Sequence, residues 1–425
     1  MSSSLDRRQF ARLFALGGSA AFLGRSGLDL ARPAPLGALS LRSAAGLWED
    51  VRARFLMPPE LAVLNAANLC PSPRSTLENV YQLTERMDTD PLPSFRTEMH
   101  GVKEGSRAKV ARHLRVAPEH ILITRNTSEA NNWVSNGLDL GAGDEVLIFG
   151  DNHPSNHQAW REKAKRFGYT VKVVEQVNPH PGADYYLDAF ARALTPRTRV
   201  LAFTHLTNTA GDLFPAKELC ALAREHGALS LVDGAQSFGL LDVDLSDVDP
   251  DFYSGSAHKW PCGPKETGLL YVNPRVQGRF WPSLYSAYVG ETGLSRTHEG
   301  MGQRDEPAIH ALGEQMDFLG EIGQGRIEER SRELTSALVE ALAAIDGVRL
   351  WTSTDATRRA AVVSFDPAGL DPRRLTDALE SEGIVCSNRP GADRPGIRFA
   401  PHFYNSMEEI ERAAGAIRKY VRQGV

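Results

Sequence analysis

From about Pro118 onward the chain alternates between two textures of apolar and polar positions. Short apolar runs at Ile121–Thr124, Glu145–Phe149, Thr170–Val174, Val200–Thr204 and Leu229–Val232 read as strands. The stretches between them, Glu129–Leu138, Ser155–Phe167, Leu187–Leu194 and Ala216–His226, read as helices. Such alternation predicts a mostly parallel sheet covered by helices on both faces. Phe252–Ser254 and Gly268–Val272 add two further strands. After Asp305 the texture changes to a long helix over Arg326–Ile345, a strand over Ala360–Phe365, a helix near Arg373–Glu382 and a last helix over Met407–Val421. That pattern predicts a smaller α/β unit, completed by the N-terminal segment near Trp48–Leu64. The expected division is a leader and spacer over 1–45, an N-terminal segment over 46–75, a large domain over 76–304 and a small one over 305–425.

Length and charge narrow the possibilities. A chain of 425 residues exceeds a single core, which agrees with two domains. A net charge of −5 with no long basic run gives no reason to expect nucleic acid or an anionic membrane surface. No apolar stretch is long enough for stable membrane insertion. The N-terminus is distinctive: Arg7 and Arg8 precede the modest apolar stretch Leu13–Leu23. This resembles a twin-arginine export signal and predicts a periplasmic or otherwise exported protein that meets the twin-arginine machinery. An amphipathic helix retained on the protein is the alternative. Gly24–Ala45 reads as a spacer. Cys70, Cys220, Cys262 and Cys386 are scattered without metal-type spacing, so no metal is expected.

The candidate chemistry lies in Ser254-Gly-Ser-Ala-His-Lys-Trp260, with Asp233-Gly-Ala-Gln236 upstream. Ala228–Asp233 is a short apolar run ending in an acid, as expected of a buried parallel strand with a functional residue at its C-terminal end. The two segments supply a lysine able to form a Schiff base, a carboxylate and an amide. Pyridoxal phosphate (PLP) needs such a set: a lysine for its aldehyde, a carboxylate for its pyridinium nitrogen, and polar groups for O3′ and the phosphate. Without the carboxylate the ring nitrogen loses its proton, and the ring becomes a poorer electron sink. A lone His-Lys pair carries no such meaning.

With these motifs and strands, the chain resembles the class V aminotransferase family of PLP enzymes, fold type I, from about Leu64 to Tyr420. That family includes cysteine desulfurases, isopenicillin N epimerase and hercynylcysteine sulfoxide lyase. The resemblance implies an α/β fold, with a large domain around a mostly parallel sheet and a smaller C-terminal α/β domain. It also implies a homodimer with the site at the interface and a small-molecule amino-acid substrate. Lys259 would hold the cofactor by Schiff-base exchange and, once freed, move the α-proton. Asp233 would face the pyridinium, and Gln236 the O3′ atom.

Thr127 and Ser128, at a helix start, resemble the family's phosphate loop, where free backbone N–H groups meet an anion. N-capping is the other use of such residues. Ser256 and His258 would add donors to the same phosphate. His153 matches the position whose ring stacks on the cofactor and can serve as an acid or base; His157 competes with it. Asn208 matches the family's asparagine near O3′ and the substrate carboxylate. Arg398, opening Arg398–Asn405, matches the arginine that clamps the α-carboxylate in a two-pronged pair. Asn65 and Asn68 match a segment lining the substrate side.

Two departures from the family pattern bear on function. Where the family commonly has a threonine reaching the partner subunit's phosphate, Gly300–Asp305 places Gln303. The desulfurase nucleophile is a cysteine on a loop before the C-terminal arginine, whereas Cys386 falls on a strand. The Arg304-Asp305 pair and the Phe403–Asn405 ending look most like the isopenicillin N epimerase branch. The leading expectation is therefore a PLP enzyme acting at the amino group or α-carbon, epimerase-like or aminotransferase-like. A cysteine desulfurase or C–S lyase is the alternative, and a non-catalytic PLP-fold binding protein the third reading.

Overall fold

The computed structural model describes residues 44–389 and 393–425; Arg7, Arg8, the apolar stretch and nearly all of the spacer lie outside them. The described chain begins with α1 (Ala44–Arg52), the two-residue strand β1 (Ala62–Val63) and two long helices, α2 (Arg74–Thr89) and α3 (Pro93–His113). The apolar and polar pattern gave no sign of α2 and α3. The packed face of α3 carries Lys103, Ser106 and Arg107, residue types that read as solvent-facing. Arg107 is wholly buried because its guanidinium is neutralised: Nη2 donates to Glu299 at 3.0 Å and Nε to Glu104 at 2.9 Å. Glu299 in turn accepts from the backbone N–H of Ile123 at 2.6 Å, tying this ion pair to the main sheet.

That sheet has seven strands in the order β2-β8-β7-β6-β5-β3-β4. They are β2 (Ile121–Thr124), β3 (Glu145–Phe149), β4 (Thr170–Val174), β5 (Thr198–Thr204), β6 (Leu229–Asp233), β7 (Phe252–Ser256) and β8 (Gly268–Val272). All neighbours are parallel except at β8, which runs antiparallel to both β7 and β2. Every residue of β3, β6 and β7 is buried, as continuous apolar runs covered on both faces require. Edge strand β4 is half-exposed, and its Lys172 reaches Glu145 at 2.8 Å.

Helices α4 (Thr127–Gly137), α5 (Pro154–Phe167), α6 (Ala183–Ala193) and α7 (Ala216–Glu225) connect the strands. Trp133 and Trp160 from α4 and α5 pack on Val146, Ile148 and Leu231. Phe149, Tyr186, Phe190 and Phe214 form a separate aromatic cluster. The start of α5 is fixed by Pro154 in its first turn and by His153, whose ring accepts from the N–H of Ser155; Gly168, at φ 85°, ends it.

Beyond the main sheet, α8 (Glu306–Ile322) packs against α3, where a Cβ on Gly313 would meet Ser106 Oγ at 2.5 Å. Next come α9 (Gln324–Ala343), β9 (Val348–Leu350), β10 (Val363–Pro367), α10 (Pro372–Ser381), β11 (Ile384–Val385), β12 (Ser387–Arg389), β13 (Gly396–Phe399) and α11 (Met407–Gln423). Strands β12-β13-β10-β9 form an antiparallel sheet whose core includes Leu338, Phe365, Ile397 and Ile417. β11 instead pairs in parallel with β1, matching Ala62 to Ile384. A further bridge joins Asn65 to Ala400.

Candidate active site

Asp233 ends β6, at the carboxyl edge where parallel sheets place their ligands. It is 2% exposed, and three N–H donors hold its carboxylate. Oδ2 accepts from Asn131 Nδ2 at 2.9 Å and Asn156 Nδ2 at 3.2 Å, while Oδ1 accepts from the Ala235 N–H at 3.1 Å. Asn131 is itself oriented by Ser254 Oγ, which donates to its Oδ1 at 2.8 Å. Sequence reasoning missed both asparagines. Their signal was an amide on a buried helix position, which a single sequence does not separate from a surface one.

Gln236 lies close by, but both ends of its amide are engaged. Nε2 donates to Ala67 O at 3.0 Å, and Oε1 accepts from Trp260 Nε1 at 2.7 Å. One Nε2 hydrogen is left for an acceptor such as O3′.

Lys259 follows β7, and among the described residues none accepts a hydrogen bond from its Nζ. Burial pushes its amine down to about 8; Asp233 opposes that shift and Arg398 adds to it. The neutral, nucleophilic amine is therefore far more populated near neutral pH than in an ordinary lysine, and predominates above about pH 8. His153 feels the same neighbours: it is lowered first by burial, then by Lys259, with Asp233 acting the other way. Its Nδ1 meets Ser155 Oγ at 2.7 Å. His157 is committed elsewhere, with Nε2 2.9 Å from Phe149 O. Of the two histidines, His153 is the one facing Lys259 and Asp233.

The phosphate-type donors gather at the first turn of α4, which begins at Thr127 rather than Glu129. Thr127 N donates to Ser256 Oγ at 2.8 Å, and the two hydroxyls also meet at 2.8 Å. Ser128 Oγ donates to Ser155 Oγ at 3.1 Å. Asn126, not Thr127 or Ser128, caps the helix by accepting from Glu129 N at 3.0 Å. This turn sits directly on the sheet: a Cβ on Gly268 would lie 2.9 Å from Asn126 Cα and 2.5 Å from Gly255 O. His258 is half-buried, and burial, followed by the Lys259 charge, lowers it to about 4, so it is neutral at pH 7.

At the opposite end Arg398, on β13, is 7% exposed. Nη1 donates to Asn208 O at 2.9 Å; Nη2 donates to Asn65 Oδ1 and Ser387 Oγ, each at 3.1 Å. Its Nε is buried with no acceptor. Burial, and then the charge of Arg389, pull its pKa down to about 10. Asn208 thus serves Arg398 through its backbone carbonyl, and Asn65 positions the guanidinium. Asn68 is exposed, and its backbone N–H donates to Asn65 O at 3.0 Å. Gln303 is exposed and accepts from Arg96 Nη2 at 2.7 Å. Cys386 lies between β11 and β12, 9% exposed, and burial pushes its thiol up to about 12.

These groups fit PLP. A half-buried lysine without an acceptor among the described residues stands near a triply held carboxylate, hydroxyl and N–H donors surround a helix start, and an arginine with an orphan Nε faces the same space. Residues 69–412 match the family described as aminotransferase class-V. The chain is 32% identical over 391 residues to isopenicillin N epimerase of Streptomyces clavuligerus, spanning 87% of this chain and 97% of that one. It is 30% identical to isopenicillin N epimerase of Amycolatopsis lactamdurans, over 88% and 99% of the two chains. In fold it resembles the apo cysteine desulfurase of Thermococcus onnurineus NA1, with a TM-score of 0.80 at 24% identity, covering 88% of this chain and 98% of the other. The chain belongs to the aminotransferase class-V family.

Proposed function

We propose that this chain is a PLP-dependent enzyme acting at the amino group or α-carbon of an amino acid or amino-acid-bearing compound, in the manner of an isopenicillin N epimerase or an aminotransferase. The observation that carries this reading is the position of Lys259. It is half-buried, without a hydrogen-bond acceptor among the described residues, and electrostatically linked to Asp233 and Arg398. Bound PLP supplies the electron sink for a bond broken at Cα. Lys259 would hold the cofactor and carry the α-proton, because its pKa, lowered to about 8, lets its amine take up and release a proton near neutral pH. Asp233 would keep the pyridinium nitrogen protonated, with Asn131 and Asn156 fixing its orientation. Thr127, Ser128, Ser256 and His258 would receive the phosphate. Arg398 would pair with the α-carboxylate through its free Nε and so orient the bonds at Cα. His153, which feels the charges of Lys259 and Asp233, would serve as a second acid–base group, which an epimerase needs and a transaminase does not.

The desulfurase alternative requires a reactive thiol on a mobile loop, and the burial of Cys386 speaks against it. Incubating the PLP-loaded protein with a panel of amino acids, while following the cofactor spectrum and product masses, tests the reading. An inverted α-centre or a 2-oxo acid supports it. Sulfane sulfur from cysteine, or no response to any amino acid, sinks it.

Two further properties belong to this proposal. The enzyme is a homodimer in which Gln303 reaches the partner's phosphate; Gln303 is exposed, and Trp281, Tyr285 and Tyr288 stand exposed on the segment before it. Light scattering of the purified protein checks this, and a monomer at working concentration refutes it. The enzyme is also exported by the twin-arginine route, supported by Arg7 and Arg8 ahead of a weakly apolar stretch. Replacing both with lysine should leave it in the cytoplasm, and unchanged export would overturn the assignment.

A further inference from the structure

A cavity of about 460 Å³ opens between the start of α5 and the end of β12, lined in part by Asn208, whose carbonyl accepts from Arg398. Three arginines, Arg161, Arg389 and Arg394, line it together with Asp151 and Asp393. Arg394 is committed: it is 8% exposed, its Nη2 donates to Asp151 Oδ1 at 2.7 Å and its Nη1 to Thr209 Oγ1 at 3.2 Å. The other oxygen of Asp151 is taken by the hydroxyl of Thr209.

Arg389 hydrogen-bonds no carboxylate among the described residues and feels Asp151 only at a distance. Its one hydrogen bond, from Nη1 at 3.4 Å, goes to the Asn208 carbonyl that Arg398 already uses. Its Nε is buried without an acceptor, as is that of Arg398. Two guanidiniums converging on one carbonyl oxygen repel each other, and a buried N–H with no acceptor on a half-buried cation is costly. Holding them there makes physical sense when anions arrive with the substrate. A single α-carboxylate answers Arg398 and leaves Arg389 only a share of Asp151, whose two oxygens Arg394 and Thr209 already hold.

We infer that this cavity is a distal subsite for a second carboxylate of the substrate, with Arg389 as its cationic partner. The substrate class is then an acidic amino acid, or an amino-acid-bearing compound with a second acid beyond the reacting centre. Asn208 O spaces the two guanidiniums, so one end of the substrate is fixed for reaction while the other is checked for charge. The inference rests on the reading of the site as one for α-amino acids.

Calorimetric titration of the PLP-loaded enzyme with glutamate and 2-aminoadipate, against glutamine and norleucine, separates the possibilities. Glutarate, which carries no amine, serves as an unreactive diacid probe. The acids should bind roughly 30-fold or more tightly than their neutral counterparts, the scale of one buried charge-assisted pair. Arg389→Gln should erase that advantage and the binding of glutarate, and Arg389→Lys should restore part of both. Equal affinity for acids and neutral isosteres, or an acid advantage that persists in Arg389→Gln, overturns the inference while leaving the amino-acid site intact. Failure of every amino acid to bind removes the site reading itself, and the subsite with it.

Discussion

Arg398 donates to Asn65 Oδ1 at 3.1 Å across 333 positions of chain, and with the bonds to Asn208 O and Ser387 Oγ this contact sets the angle at which its buried Nε faces the site. The guanidinium has polar neighbours but no carboxylate among the described residues.

Arg398→Ala should therefore weaken amino-acid binding and leave PLP in place. Losing a buried charge-assisted pair typically costs about 2–5 kcal/mol, which corresponds to roughly 30-fold or more in affinity. Decarboxylated amines should lose far less, because they lack the clamped group. Spectral titration with each amino acid and its amine measures both, and equal losses would make Arg398 structural.

The lowered amine of Lys259 predicts a pH dependence. Deprotonation below the ordinary 10.5 means that the neutral form accumulates as pH rises through about 8. Coupling of PLP to cofactor-free protein should thus accelerate with pH and level off above about 8. Borohydride reduction and peptide mapping at each pH should find the label on Lys259. A midpoint near 10, or label on another lysine, contradicts the assignment.

Asp212 predicts an effect on stability. It is 0% exposed, neither carboxylate oxygen has a partner, and burial, reinforced by Asp151, raises it to about 7 from 3.8. The folded protein thus holds a proton that the unfolded chain has released, so stability falls as pH rises from about 4 through 7 and is flat above. Asp212→Asn should flatten that slope and add up to about 4 kcal/mol at pH 8, at about 1.4 kcal/mol per pKa unit. Urea unfolding at pH 5 and pH 8 reads the difference; an equal change at both values rules out titration as the cause.

Cys386→Ser should leave turnover within about twofold, since its thiol is buried and raised to about 12 and supplies almost no thiolate near neutral pH. Collapse of sulfur release with PLP still bound would move the function to desulfuration.

Much of the cofactor side was legible in the sequence because its residues follow strands whose apolar runs are unmistakable. Asp233 ends β6 and Lys259 follows β7, so register alone brings them to one edge of the sheet. The supports were not legible. Asn131 and Asn156 sit on helices where an amide reads as solvated, and Arg389 and Arg394 gain meaning only once β12 and the segment after it fold against Asp151. α3 escaped for a related reason: Arg107 on its buried face looks like a surface residue until Glu299, far along the chain, pairs with it. Gln236 shows the limit from the other side, because its motif was plain while its two hydrogen bonds, to Ala67 and Trp260, were not.

The pairing of the Asn65 segment with Ala400 also orders the birth of the enzyme. The groups assigned to PLP, apart from Gln303, span Thr127 to Lys259, and the ribosome has made them all while Arg398 is still unwritten. The clamp forms only when the strand after Gly396 returns to the N-terminal segment, where Ala66 N–H donates to Ala400 O and Ala400 N–H to Leu64 O. Such long-range closures come late, since their loop entropy is met before any contact repays it. Chemical competence is thus encoded early in synthesis and discrimination last, so a chain cut short before Gly396 would keep the parts for handling a cofactor and lose the means of choosing what to react with.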